Sequence, residues 1–131
     1  MDLAQWQLDT DIRAALSERK IAVVGLSANP ARPSHDVARV MQGHGYTIVP
    51  INPREDLVLG ATSYPSLSAA AAETGPIALV NVFRESSAVP AIAEEAVNIG
   101  ARFLWLQLGV ISLSGIQIAA TGGLTLSLIH I

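Results

Sequence analysis

Runs of apolar residues, each cut off by a glycine, asparagine or arginine, set the frame of this chain. Ile21-Ala22-Val23-Val24 ends at Gly25, Tyr46 to Ile51 ends at Asn52-Pro53, Ile77 to Phe83 ends at Arg84, and Arg102 to Gln107 stops short of Gly109. Another run opens at Leu124. These runs have strand length and lack the alternation of a strand with one wet face, so they predict strands covered on both sides. Between them the spacing changes to about 3.6, the period of a helix. Thr10 caps a predicted helix reaching Lys20, with Asp11 in its first turn and Ile12, Ala15 and Leu16 on one face. Ser34 caps the next, through Gln42, with Gly43 and Gly45 as stop signals. Ala61 to Pro65 predicts a short edge strand, and Ser66 or Ser68 opens a brief helix. Ser86 or Ser87 opens a longer one in which Val89, Ile92, Ala93, Ala96 and Val97 share a face. Glu94, Glu95 and Asn98 fall on its other side, Gly100 ends it, and Pro90 is tolerated because it lies in the first turn. Ser112 to Ala120 reads as the last helix.

Strands of this kind alternating with helices predict one α/β domain over residues 1–131. Right-handed crossovers make it Rossmann-like: a doubly wound, mainly parallel sheet with helices on both faces. Composition agrees. Half the residues are hydrophobic and 15% charged, which excludes intrinsic disorder. Aromatics are only 5%, so the core is aliphatic, with Trp105 a core residue. Eight basic against eleven acidic residues give a net charge of −3, without the basic excess of a nucleic-acid binder. Cysteine is absent, so disulfides and cysteine-held metals are excluded.

From Phe103 to Ile131 there is no Asp, Glu, Lys or Arg, which raises the question of a membrane span. Gln107, Ser112, Ser114, Gln117, Thr121, Gly122, Gly123 and His130 interrupt the stretch, whereas a spanning helix needs about 20 predominantly apolar residues. No membrane partner is expected. The opening MDLAQWQLDTD has neither the basic nor the apolar region of a signal peptide, so the expected location is cytoplasmic.

In an open α/β sheet, ligands bind outside the carboxyl ends of the strands, where the strand order switches. The residues that follow the strands there include Arg32, Arg54 and Arg84, three of the eight basic residues gathered on one rim of an acidic protein. The fixed fork of a guanidinium suits phosphate. The first loop lacks the dinucleotide fingerprint, because Ser27 and Pro30 stand where further glycines would follow Gly25. The first-turn N–H groups of the helix at Ser34 still offer an anion site. At the end of the second strand no Asp or Glu awaits a ribose 2′-hydroxyl; Asn52-Pro53-Arg54 replaces it. That argues against NAD and for a nucleotide with an extra ribose phosphate, either NADP or coenzyme A. Singly, each residue has a plainer role open to it: Gly25 as a turn, Ser34 as a cap, Arg54 and Arg84 as partners of Glu55 and Glu85, and Gln107 as a strand end.

The runs IAVVGLSANPARPS, GYTIVPINPR, NVFRESSAVP and FLWLQLGV, in this order at four strand ends, resemble the small stand-alone CoA-binding proteins. That family is related to the N-terminal domain of the succinyl-CoA synthetase α subunit. The resemblance runs from about Ala15 to Thr125. It implies that Gly25, Ser27 and Arg32 contact the pantetheine or diphosphate part of CoA. Asn52, Pro53 and Arg54 would lie by the adenosine 3′-phosphate, Val82, Phe83 and Arg84 by the adenine and diphosphate, and Gln107 by the thiol end. The tail departs from the family pattern after Thr125: Leu126 to Ile131, LSLIHI, resembles the in-frame translation of a transposon end used in preparing sequencing libraries. These six residues are expected to be a non-native replacement of a natural C-terminus.

No catalytic cysteine, nucleophile elbow, H-x-x-x-H or paired-carboxylate signature is present, and Ser27 lacks an identifiable base. The expectation is therefore a CoA- or acyl-CoA-binding module without a complete active site. Two alternatives stand beside it: an NADP- or NAD-binding oxidoreductase fragment or redox sensor, and the CoA-binding subunit of a larger acyl-CoA ligase. A protein partner or self-association stays open.

Overall fold

A computed structural model describes residues 20–107, 118, 121–123 and 125–129. Five strands form one parallel sheet: β1 (Lys20–Val24), β2 (Thr47–Ile51), β5 (Leu79–Val82), β6 (Phe103–Gln107) and β7 (Thr125–Ile129), in the spatial order β2-β1-β5-β6-β7. β1 lies in register with both neighbours, Ala22 opposite Val49 on one side and Val80 on the other. The chain winds outward from β1 to β2, then returns across β1 to β5 and continues to β7. The strand order therefore switches between β1 and β5.

The continuous apolar runs are explained by two cores, one on each side of the sheet. Ala22, Val24, Val49, Ile51, Val80, Val82, Leu104 and Leu106 face one side. There they pack with Leu67 and Ala70 of α2 (Leu67–Thr74) and Val89, Ala93 and Ala96 of α3 (Val89–Asn98). Ile21, Val23, Ile48, Leu79, Phe103 and Trp105 face the other side and pack with Ala38 and Met41 of α1 (Pro33–Gly43). The alternation of period two is present, but both phases are apolar because both faces are covered. The doubly wound architecture read from the sequence is the one observed.

Several local readings are corrected. The edge segment predicted at Ala61–Pro65 is one arm of a hairpin: β4 (Ala61–Thr62) pairs antiparallel with β3 (Leu57–Val58). Its turn places Leu59 at φ 53° and Gly60 at φ 77°. A leucine resists that backbone conformation, which hid the turn. Tyr64 then joins the edge of β2, its N–H donating to Pro50 O at 3.0 Å and its carbonyl accepting from Asn52 N–H at 2.9 Å. Pro50, with no N–H to offer, suits this edge strand. The helix predicted from Ser34 starts one residue earlier, with Pro33 in the first position and Arg32 at the cap, so Ser34 does not cap it.

α3 follows a 3₁₀ turn at Ser86–Ala88 and carries Pro90 in its first turn. Glu95, expected on its solvent side, instead reaches α2. One carboxylate oxygen accepts from Leu67 N–H at 2.9 Å and the other from the Ser68 hydroxyl at 3.0 Å. Ser66 adds its own cap, accepting from Ala69 N–H at 3.1 Å. At the far end of α2, Lys20 Nζ donates to the carbonyls of Thr74 at 2.6 Å and of Gly75 and Pro76 at 3.3 Å. An alanine-rich helix of eight residues is thus held by negative charge at its N-terminus and positive charge at its C-terminus. Burial of Lys20 between these carbonyls holds its pKa below the ordinary lysine value.

The predicted helix from Thr10 lies outside the described residues, as does that of Ser112–Ala120 except for the helical Ile118. β7 includes Leu126 to Ile129 of the tail, paired along β6 from Phe103 opposite Thr125 to Gln107 opposite Ile129. Among the described residues no helix is long and apolar enough to cross a membrane.

Candidate functional site

The loops leaving β1, β2 and β5 meet over the carboxyl ends of those strands. The sequence dictates how closely they meet. Gly25 follows β1 at φ 85°, its N–H donating to Ile51 O at 2.8 Å, while Phe83 N–H donates to Val24 O at 2.8 Å. A Cβ on Gly25 would lie 2.5 Å from Phe83 O and 2.9 Å from Arg84 Cδ. Only glycine fits there, for its backbone angle and for the approach of the β5 loop.

Beyond Gly25 the loop is braced by its own short side chains. The Ser34 hydroxyl, buried in the first turn of α1, accepts from Ser27 N–H at 3.1 Å. Ser27 Oγ accepts from Asn29 N–H at 3.1 Å, and Asn29 Oδ1 from Ala31 N–H at 3.0 Å. No side chain caps α1; in its first turn Pro33 has no N–H and His35 N–H donates to Arg32 O at 3.1 Å. At the end of β2, Asn52 Nδ2 donates to Leu26 O at 3.0 Å, tying the second loop to the first. Its Oδ1 accepts from Arg54 N–H at 3.0 Å, which fixes the turn that carries this arginine.

The result is a groove of two continuous lobes. One, of about 400 Å³, is lined by Gly25, Ile51, Asn52, Pro53, Arg54, Arg84 and Glu85. The other, of about 560 Å³, runs past Ser27, Arg32, Pro33, Ser34 and Phe83, and shares Gly25, Arg54, Arg84 and Glu85 with the first. Nine of the eleven residues singled out from the sequence thus lie around one space. Val82 is fully buried in β5, pairing with Val24 and Leu106. Gln107 closes β6, and its side chain is outside what the structure describes. Sequence reasoning passed over Ile51, Pro33 and Glu85. Glu85 was noticed only as a partner for Arg84.

Three arginines and one glutamate give the groove a positive balance on a chain of net charge −3. Their states differ. Arg84 is held by Glu85 through two bonds, Nε to Oε2 at 3.2 Å and Nη2 to Oε1 at 2.9 Å. This hydrogen-bonded pairing raises the Arg84 pKa and lowers that of the Glu85 carboxyl. The guanidinium groups of Arg32 and Arg54 are exposed and make no hydrogen bond or ion pair among the described residues. The pairing of Arg54 with Glu55 that the sequence left open does not form.

Fold and groove together define a Rossmann-like domain: a doubly wound sheet, a glycine at the switch point and, in the loops after β1 and β2, two arginines that are unpaired among the described residues. A family model described as CoA binding domain matches residues 19–128, and the chain belongs to that family. The chain is 42% identical over 107 residues to the uncharacterized protein YneT of Bacillus subtilis (strain 168), covering 82% of this chain and 77% of that protein. Among solved structures it is similar to a hypothetical protein from Pyrococcus horikoshii OT3. The TM-score is 0.86 at 31% identity, covering 93% of this chain and 84% of that one. It also shares its fold with part of the dinucleotide forming acetyl-coenzyme A synthetase 1 of Ca. Korarchaeum cryptofilum. There the TM-score is 0.69 at 21% identity, covering 82% of this chain and 25% of the larger one.

Proposed function

We propose that this protein binds coenzyme A, or an acyl-CoA, in the groove over β1, β2 and β5, as a binding module without a complete active site of its own. The observation that carries the reading is the unpaired Arg54, held by Asn52 at the end of β2, where a domain that takes NAD would present a carboxylate to the ribose. A cation there suits a ligand whose ribose carries a phosphate. The close approach at Gly25 and the uncapped N-terminus of α1 suit the diphosphate. Arg32 and Arg84 supply further cations along the same wall. The two serines of the lining are occupied in bracing the loop, which favours binding over nucleophilic chemistry.

The test is calorimetry with CoA, 3′-dephospho-CoA, acetyl-CoA, NADP and NAD on one preparation. CoA is expected to bind more tightly than NAD and than dephospho-CoA. Arg54→Ala should cost the CoA complex about tenfold, a charge-assisted bond of ordinary strength, and leave dephospho-CoA almost unchanged. Tight NADP binding with none for CoA would replace this reading with that of an oxidoreductase fragment or redox sensor.

A further inference from the structure

The Arg84–Glu85 pair stands inside the groove, on the wall common to both lobes. Here the loop after β5 turns Glu85 back so that its two oxygens meet Nε and Nη2. Those are two of the donors a phosphate oxygen pair would take. Among the described residues the other two arginines of the lining have no such partner.

We propose that Glu85 sets the selectivity of the groove by masking Arg84. The carboxylate holds the place of a phosphate on this guanidinium, so a ligand engages Arg84 only by displacing it. A ligand with a single phosphate group meets Arg32 or Arg54 and gains little from Arg84. A ligand with several phosphate groups is anchored first by the two unpaired arginines and then displaces Glu85. The site thereby favours polyphosphorylated nucleotides over the monophosphates that share their base and sugar. This rests on the phosphate-binding reading of the groove and deepens it, by naming a residue that opposes binding as well as those that favour it.

The experiment is a double-mutant cycle with Glu85→Gln, Arg84→Gln and the double variant, titrated with CoA and separately with inorganic pyrophosphate and AMP. Glu85→Gln is isosteric, Arg84→Gln shortens a side chain that lies at the groove surface and not in the core, and Glu85 is exposed, so folding is preserved and far-UV circular dichroism checks it. Glu85→Gln is expected to tighten CoA and pyrophosphate about threefold to tenfold, and AMP proportionally more, narrowing the discrimination. In the Arg84→Gln background the gain should fall by at least half, because no masked guanidinium remains to release. Equal gains in both backgrounds would mean simple through-space repulsion and would overturn masking, as would unchanged or weaker binding by Glu85→Gln. Pyrophosphate separates the two readings: if its affinity rises on Glu85→Gln while CoA fails to bind any variant, masking stands and the CoA assignment falls. Binding of none of the three probes to any variant would overturn both.

Discussion

Replacing Gly25 by alanine tests the junction on which the site depends. Two separable costs follow. The backbone at φ 85° is one that an L-residue adopts at a cost of about 1–2 kcal/mol. The new Cβ would stand 2.5 Å from a backbone oxygen, that of Phe83, which has no flexible end to move aside. Relief requires β1 and the β5 loop to separate by several tenths of an ångström, an overpacking cost of about 1–3 kcal/mol. The expected loss is therefore about 2–5 kcal/mol, against a whole-domain stability of about 5–15 kcal/mol. Urea denaturation measures it as a lowered midpoint at unchanged slope. Gly100→Ala is the control: its φ is 79°, yet nothing lies within 4 Å of the added Cβ, so only the backbone cost of about 1–2 kcal/mol applies. The shift at Arg84 Cδ also predicts weaker CoA binding for Gly25→Ala alone. Equal destabilisation of the two variants, with Gly25→Ala binding CoA normally, would refute the close approach as the reason for glycine.

Asn52→Ala removes the bond to Leu26 O and the anchor of Arg54 N–H, and should cost about 1–2 kcal/mol of stability by urea titration. Asn52→Asp keeps the anchor but places a carboxylate beside the ribose position, so the ratio of CoA to NAD affinity should fall in calorimetry. Lys20→Met leaves the last carbonyls of α2 without their donor and should lower stability by about 1 kcal/mol, with CoA affinity unchanged because Lys20 lies at the opposite end of β1. For Glu85 the sign follows from its lowered pKa: pairing with Arg84 is present above the ordinary carboxylate range and lost as pH falls through the lowered value. A carboxyl-carbon NMR titration should therefore show the Glu85 midpoint moving up, toward the ordinary value, in Arg84→Gln.

The sheet was legible because each strand announces itself twice, by an apolar run and by the residue that stops it. Gly25, Asn52 and Arg84 mark strand ends in the sequence for the reason that they matter in the structure: the strands finish where the chain must turn over a ligand-sized space. Ser34 misled because a serine ahead of an apolar-periodic stretch is normally a cap. Pro33, already fixed in helical φ, takes the first helical position and pushes Ser34 inside, where its hydroxyl turns back to Ser27. Glu95 lay on the right face of a helical wheel for solvent, but a wheel carries no information about a second helix packed alongside. The hairpin at Leu57–Thr62 was hidden by Leu59, whose partly buried side chain packs against the core on the α1 side of the sheet, so tertiary burial outweighs the local cost of its backbone. Which arginine is free and which is paired is a matter of loop geometry, which sequence spacing does not carry.

The three arginines come from three separate crossover segments and become neighbours only when β1 pairs with β2 and β5 in register. The unfolded chain has no equivalent site, so a ligand bound there stabilises the fold by mass action, about 2.7 kcal/mol when present at a hundred times its dissociation constant. That coupling distinguishes damage to the scaffold from damage to the site. Lys20→Met weakens the domain at the far end of the sheet and should keep the full ligand-induced rise. Gly25→Ala lowers the starting stability and should lose part of that rise at the same CoA concentration, because the added Cβ that strains β1 against β5 also displaces Arg84. If both variants kept the rise, the junction between β1 and β5 would be structural alone, and the phosphate contacts would have to be sought at Arg32 and Arg54.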